Sequence, residues 1–420
     1  MKKIIIVLFA VTLVAVLGAC GGSDDPTVLV IQSSFVREVS EKEIYQTEIF
    51  DAFEEEHNVT IELNTYSEVG NLYDKIKTEQ DSGEITSDLV IAHYSDMVNY
   101  KSNNSYMMDL DDLEGEMDDR TFLDAFETST FENGIRYFFP INIDVYIGIA
   151  ANSAFDHLPT GVTEADVLAG DYTWDDYVAW ADGDNVTTFI KGLAASQIIY
   201  QIGGMALSHT DIIEGTFPNL NSTANQRAWN AILEMKLNGA IHAESTTVNS
   251  AQDLLEAGNV QLAFEHQSVV GLTYAGAPAQ FKVFPGPKGD SGNAGTIAGG
   301  HGIGIIEGAP NAELAEEFIK WITAPEQIVH AALGSTPPLL EATAALGTSP
   351  SDEVVKMGVA TLENSNVEGL QMIPNYTDWG GVKGCSDAVF TKIMDGTITT
   401  EAQLLAELNT QQANLEALEK

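Results

Sequence analysis

Residues 27–32, Thr27-Val28-Leu29-Val30-Ile31-Gln32, are a short β-branched apolar run, and the next sixty residues repeat a theme begun there. Residues 41–58 carry Ile44, Ile49, Phe50 and Phe53 at helical spacing among charges. Val59-Thr60-Ile61-Glu62-Leu63 reads as a second strand, residues 72–82 as a second helix, and Asp88-Leu89-Val90-Ile91-Ala92 as a third strand. Branched side chains in runs of this length pack well on a pleated surface, whereas the 3.6-residue apolar period suits a helix lying on that surface. Strands alternating with helices predict an α/β chain on an open, mainly parallel sheet.

Further along, residues 109–125 are acidic and loop-rich with helical fragments. Residues 136–150 (RYFFPINIDVYIGIA) give two apolar strand-like runs around Pro140. Residues 173–238 are mostly helical: Trp174 opens a short helix behind Thr173, a suitable N-cap, and 191–200 and 225–237 read as longer ones. Strands are expected at 260–264, 281–284 and 302–306, a Gly-rich loop at 286–300, and helices at 312–322 and 400–418. There is no internal repeat and no long linker, which is compatible with a two-lobed body whose chain crosses more than once.

The chain has 420 residues, with 62 acidic side chains against 19 basic ones and a formal net charge of −43. Such an excess argues against nucleic acid or anionic membrane surfaces as partners, because phosphate binding needs basic patches. The four arginines, Arg37, Arg120, Arg136 and Arg227, do not cluster. A surface this acidic holds water and repels itself unless counterions screen it, which suggests a saline habitat, with an acidic partner-binding face as the alternative. Cys20 and Cys385 are too few for a disulfide framework or a zinc site. Cys385 reads as a buried free thiol.

Cys20 belongs to the N-terminal segment. Lys2 and Lys3 precede an apolar run, 4–17, too short to span a bilayer comfortably, and then Gly18-Ala19-Cys20. Leu17-Gly18-Ala19-Cys20 resembles a lipobox, which implies a signal peptide over 1–19, lipidation of Cys20 and a polar tether over 20–27. The expected location is extracytoplasmic, leashed to the cell membrane.

Catalytic patterns are missing. The eight histidines form no HExxH or HxH pair, and Gly289-Asp290-Ser291-Gly292-Asn293 has Asn where a nucleophile elbow needs Gly. Gly299-Gly300-His301-Gly302-Ile303-Gly304 lacks both the lysine of a phosphate loop and the spacing of a dinucleotide turn. No enzyme, metal or cofactor is expected.

Several stretches, in order, resemble the family 1 extracellular solute-binding proteins, the maltose-binding type that serves ABC importers. Ser87-Asp88-Leu89-Val90-Ile91-Ala92 with Met107-Met108-Asp109-Leu110 resembles the first lobe. Phe139-Pro140 with residues 147–153 (IGIAANS) resembles the exit from that lobe, and Tyr172-Thr173-Trp174-Asp175-Asp176-Tyr177 a family helix start. Residues 255–264 (LEAGNVQLAF), Phe284-Pro285-Gly286-Pro287, 299–306 and 315–325 (AEEFIKWITAP) continue the series. The resemblance covers most of the chain after the tether. It implies a two-lobed periplasmic-binding-protein fold of type II, each lobe a mainly parallel sheet flanked by helices, with a ligand cleft between the lobes. The lobes are expected at 28–147 with 304–334, and at 148–303 with 335–420. The protein would act as a monomer, capturing a sugar or oligosaccharide and delivering it to permease subunits.

Carried over position by position, the resemblance points to His93, Tyr94 and Asp96 after the third strand, Asp144 and Tyr146 at the first hinge, Gly300 and His301 in the Gly-rich turn, and Trp379 as a stacking aromatic. Relatives often carry a Trp platform after the strand ending at Phe264; here Glu265, His266 and Gln267 stand in its place and are expected to make polar contacts. That departure leaves open a smaller or cationic ligand, such as a polyamine or amino acid; a secreted enzyme is the third reading. Trp174, Trp180, Trp229 and Trp321, at helical positions, read as core.

Overall fold

A computed structural model describes residues 26–66, 69–101, 106–123, 130–193, 197–210, 219–372 and 378–418. The signal-like segment and Cys20 lie outside the described residues. Twelve strands are described: β1 (Thr27–Ser33), β2 (Val59–Thr65), β3 (Leu89–His93), β4 (Phe131–Glu132), β5 (Ile135–Arg136), β6 (Phe139–Asp144), β7 (Tyr146–Ala151), β8 (Thr188–Ile190), β9 (Leu262–His266), β10 (Phe281–Phe284), β11 (Ala294–Ile305) and β12 (Ser365–Met372).

They form two main sheets. The first has the order β12-β11-β3-β1-β2, with β6 also paired to β11. β1 is parallel to β2 and β3, as the alternating pattern predicts, and β11 runs antiparallel to both β3 and β6. The second sheet has the order β10-β7-β9-β8. Here β7 runs against both of its neighbours while β8 and β9 are parallel. The reason is connectivity: β7 follows β6 after the single residue Val145, so it enters from the hinge and runs away from it, and its neighbours run back toward it.

Each lobe has its own core. In the first, Leu29, Ile31, Phe50, Phe53, Phe318 and Ile319 pack together, and Leu339 and Ala342 join them. In the second, Trp174, Trp180 and Trp229 are almost wholly buried. Trp321 packs partly buried against the first core and donates its indole N–H to the Ile49 carbonyl at 3.1 Å. Thr173 caps the helix Trp174–Trp180, accepting from the Asp176 N–H at 3.2 Å.

Four local expectations change. The 286–300 loop stops at 293, because β11 begins at Ala294. Its glycines serve close packing: a Cβ on Gly295 would sit 2.4 Å from the Gly204 carbonyl oxygen of the helix Ile198–Ser208. That helix replaces the one expected at 191–200. The two runs in 136–150 divide at Val145, whereas Pro140 lies inside β6, which pairs with β11 and bridges to Thr336 through Ile143. Finally, Trp379–Met394 forms a helix where no element was expected, capped by Asp378, whose carboxylate accepts from the Gly381 N–H at 2.8 Å. The 303/304 lobe division falls within β11, whose residues from His301 to Ile305 pair with β3. Cys385 is buried and free.

Candidate functional site

Period-two alternation through β6 and β7 sets Asn142, Asp144 and Tyr146 on one side, while Ile141, Ile143, Val145 and Ile147 point the other way into the core with no exposure. Gly299, Gly300 and His301 of β11 lie opposite Asp144, Ile143 and Asn142. In the second sheet, Tyr146 lies opposite His266. The hinge therefore carries a row of three pairs, His301 with Asn142, Gly299 with Asp144, and Tyr146 with His266. From Asn142 to Tyr146 the row is about 13 Å long at about 3.3 Å per residue. It joins the carboxyl ends of β1, β3 and β9, the edge at which open α/β sheets take their ligands.

On the first-lobe side the aromatic rings are built into one another. His301 stacks on Phe35 with centroids 4.1 Å apart and planes at 19°, and meets the His93 ring edge-on at 5.2 Å. The His301 backbone N–H donates to Asn142 Oδ1 at 2.9 Å, and its Nδ1 lies 3.2 Å from the same oxygen, which suits the Nδ1–H tautomer. Ser33 Oγ holds the loop that delivers Phe35 by accepting from the N–H groups of Phe35 (3.0 Å) and Val36 (3.2 Å). Burial, and then the charge of Arg37, hold the His93 pKa down to about 4. Burial, His93 and Arg37 hold His301 well below its ordinary range. Both rings are therefore neutral at physiological pH, apolar faces with a polar edge.

Tyr94 is buried in a core cluster behind the row. A Cβ on Gly300 would lie 2.1 Å from the Asn142 carbonyl oxygen and 2.7 Å from the Tyr94 ring, so only glycine lets β11 approach so closely. Asp96, in the first turn of the helix Tyr94–Lys101, has its pKa pushed up to about 7 by burial, and its Oδ2 has no partner among the described residues.

On the second-lobe side Asp144 is tied across the hinge. Ser268 Oγ donates to its Oδ2 at 2.7 Å, and His266 Nδ1 lies 3.6 Å away. Burial pushes the Asp144 pKa up, but hydrogen bonds from His266 and Ser268 and the attraction of His266 outweigh it and hold the carboxyl below its usual range. The Tyr146 ring packs on His266 at 4.3 Å, with its hydroxyl buried and without a hydrogen-bond partner among the described residues.

Two of the residues standing where relatives carry Trp are spent inside the protein. Glu265, 1 % exposed, accepts from the Ala251 N–H at 3.0 Å and pairs with the buried Lys191 at 3.6 Å. Burial raises its pKa against those partners. Gln267 donates from Nε2 to the Gly334 carbonyl at 3.0 Å and accepts from the Thr336 hydroxyl at 2.8 Å. It is a brace between crossing segments. The structure thus gathers His93, Asp144, Tyr146, His266, Gly300 and His301 along the hinge, sets Asp96 on the neighbouring helix, and buries Tyr94, Glu265 and Gln267 behind them. The Trp379 side chain lies outside what is described.

Phe35, Arg37, Asn142, Lys191 and Ser268 complete the arrangement and were not singled out from the sequence. The loop following β1 carried the available signal, since the carboxyl end of a parallel strand is a ligand edge whatever residues it bears. Asn142 and Ser268 acquire their roles only from the strand pairing.

The model of the family described as bacterial extracellular solute-binding protein matches residues 48–359. Among solved structures, the chain is similar to the maltose-bound MalE3 of T. maritima, at 14 % identity and a TM-score of 0.66, covering 93 % of this chain and 100 % of that one. The sugar-binding protein MalE of Xanthomonas citri aligns at 13 % identity and a TM-score of 0.69, covering 93 % and 98 %. A substrate-binding protein of Listeria monocytogenes in complex with cycloalternan aligns at 15 % identity and a TM-score of 0.66, covering 93 % and 100 %. A comparison with curated protein sequences gave no match.

Proposed function

Because the chain belongs to the bacterial extracellular solute-binding protein family, we propose that it captures a sugar or oligosaccharide between its lobes and hands it unchanged to the permease of an ABC importer. The observation that carries this reading is the hinge row itself: neutral rings stacked at Phe35, His301 and His93, and hydrogen-bonding groups at Asn142, Asp144 and His266. Sugar rings need apolar faces against their C–H surfaces and fixed polar groups for their hydroxyls. The solved structures of similar fold with bound maltose and cycloalternan support it.

A polyamine would need several convergent carboxylates, whereas Asp144 is engaged with Ser268 and His266, Glu265 with Ala251 and Lys191, and burial favours the neutral form of Asp96. Closure would swing the lobes about Val145 and β11, shifting the population from open to closed. Cys20 would carry the lipid that tethers the chain, acting as a monomer, outside the membrane, and Trp379 would add a stacking face.

The test is a thermal-shift screen against mono- and oligosaccharides and polyamines, since a ligand that binds only the native state raises Tm by mass action. A saccharide that raises Tm and is recovered chemically intact is the expected result. A shift with polyamines alone, or turnover of the saccharide, would defeat the proposal. If Trp379→Ala left the saccharide shift intact for every hit, the stacking role of Trp379 would fall separately.

A further inference from the structure

We infer that Arg37 makes this cleft selective for acidic saccharides, its guanidinium binding the oxyanion of a carboxylate or sulfate carried on the sugar. The inference rests on the sugar-capture reading and goes beyond it, to the charge of the ligand.

Three of the four arginines are paired with acids. Arg120 lies 3.3 Å from Asp119, Arg136 lies 2.8 Å from Glu114, and Arg227 pairs with Asp175 and Asp290. Arg37 is exposed, and its guanidinium makes no ion pair among the described residues, in a chain where acids outnumber bases by 43. Its close acidic neighbour Glu41 is turned to the backbone, its Oε2 accepting from the N–H groups of Arg37 (2.8 Å) and Glu38 (2.9 Å), and it makes no ion pair with the guanidinium.

Position gives this free charge its meaning. Arg37 lies two residues after Phe35, whose ring is clamped on His301, so the loop is held against the hinge row. The charge of Arg37 reaches both cleft imidazoles and disfavours their protonation. No carboxylate of the row is spare to neutralise it: Asp144 is bound by Ser268 and His266, Glu265 by Ala251 and Lys191, and burial favours the neutral form of Asp96. A guanidinium offers a planar pair of donors that matches carboxylate and sulfate oxygens, and such charge-assisted bonds are about twice as strong as neutral ones. The acidity of the rest of the surface is screened beyond about 8 Å at physiological salt, so the local group governs recognition.

The experiment measures binding by calorimetry and thermal shift for the wild type, Arg37→Gln and Arg37→Lys. The probes are a neutral trisaccharide (maltotriose), a uronate trimer (trigalacturonate) and a sulfated oligosaccharide of similar length. The expected result is that an acidic probe binds the wild type more tightly than maltotriose does. Arg37→Gln then weakens it at least about tenfold, Arg37→Lys recovers part of the loss, and the ligand-free Tm stays unchanged, as befits an exposed side chain. The uronate and sulfate arms tell which oxyanion is preferred. If Arg37→Gln leaves the acidic affinity unchanged, or maltotriose binds more tightly than both acidic probes, the inference is overturned while sugar capture stands. If no saccharide of either kind binds, both fall.

Discussion

Ser268 Oγ donates a 2.7 Å hydrogen bond to Asp144 Oδ2, so the last residue of a first-sheet strand is held by the first turn of a second-lobe helix, Gln267–Gly276. This contact ties the two lobes one residue from the point at which the chain passes between them.

Removing it makes the first prediction. Ser268→Ala is expected to cost about 1.5–3 kcal/mol of stability at neutral pH, the range for a hydrogen bond to a charged group. Asp144 is held below its ordinary value of 3.8. Its stabilisation is present above the unfolded value and is lost as the pH falls through the folded one. Urea titrations of wild type and variant should therefore converge on acidification below 3.8, and a constant difference would rule the linkage out.

His93 and His301 act in the same direction, over a higher pH window. His93 titrates near 6.5 when unfolded but at about 4 in the fold, so the unfolded chain binds more protons between those values. Stability is expected to fall as pH drops through that window. His93→Gln should make the dependence shallower without abolishing it, because His301 contributes in the same direction. Melting curves at half-unit pH steps check this; parallel wild-type and variant profiles would refute it.

Gly300→Ala tests the close approach of β11 to β6. The added Cβ would lie 2.1 Å from a backbone oxygen, which cannot turn aside as a side chain would. A loss of about 1–3 kcal/mol is expected from overpacking, together with weaker saccharide binding. A variant of wild-type stability would show that the strands can part at no cost.

Salt provides the fourth test. With a formal charge of −43, raising NaCl from about 0.1 M to about 1 M shortens the Debye length from about 10 Å to about 3 Å and should raise Tm. An unchanged or falling Tm would contradict the reading of the acidity as a saline adaptation.

Much of the candidate site is legible in the sequence, because local pattern and family likeness both bear on strand ends. The alternation of Asn142, Asp144 and Tyr146 against Ile143, Val145 and Ile147 is written into the chain, as is the glycine run of β11. What remained hidden concerned partners distant in sequence. That Glu265 and Gln267 turn inward depends on Lys191, Ala251, Gly334 and Thr336, none of which is near them along the chain.

The amino-acid sequence by itself determined the α/β alternation, the acidic charge and the elements that end at the hinge, since these follow from propensity, period and composition over a few residues at a time. Only the tertiary structure decided which polar groups are spent on one another. Satisfaction of a buried hydrogen bond is settled by strand register across separations such as the 124 residues between Asp144 and Ser268, and no local pattern encodes that pairing. The same accounting leaves the Arg37 guanidinium without an ion pair among the described residues.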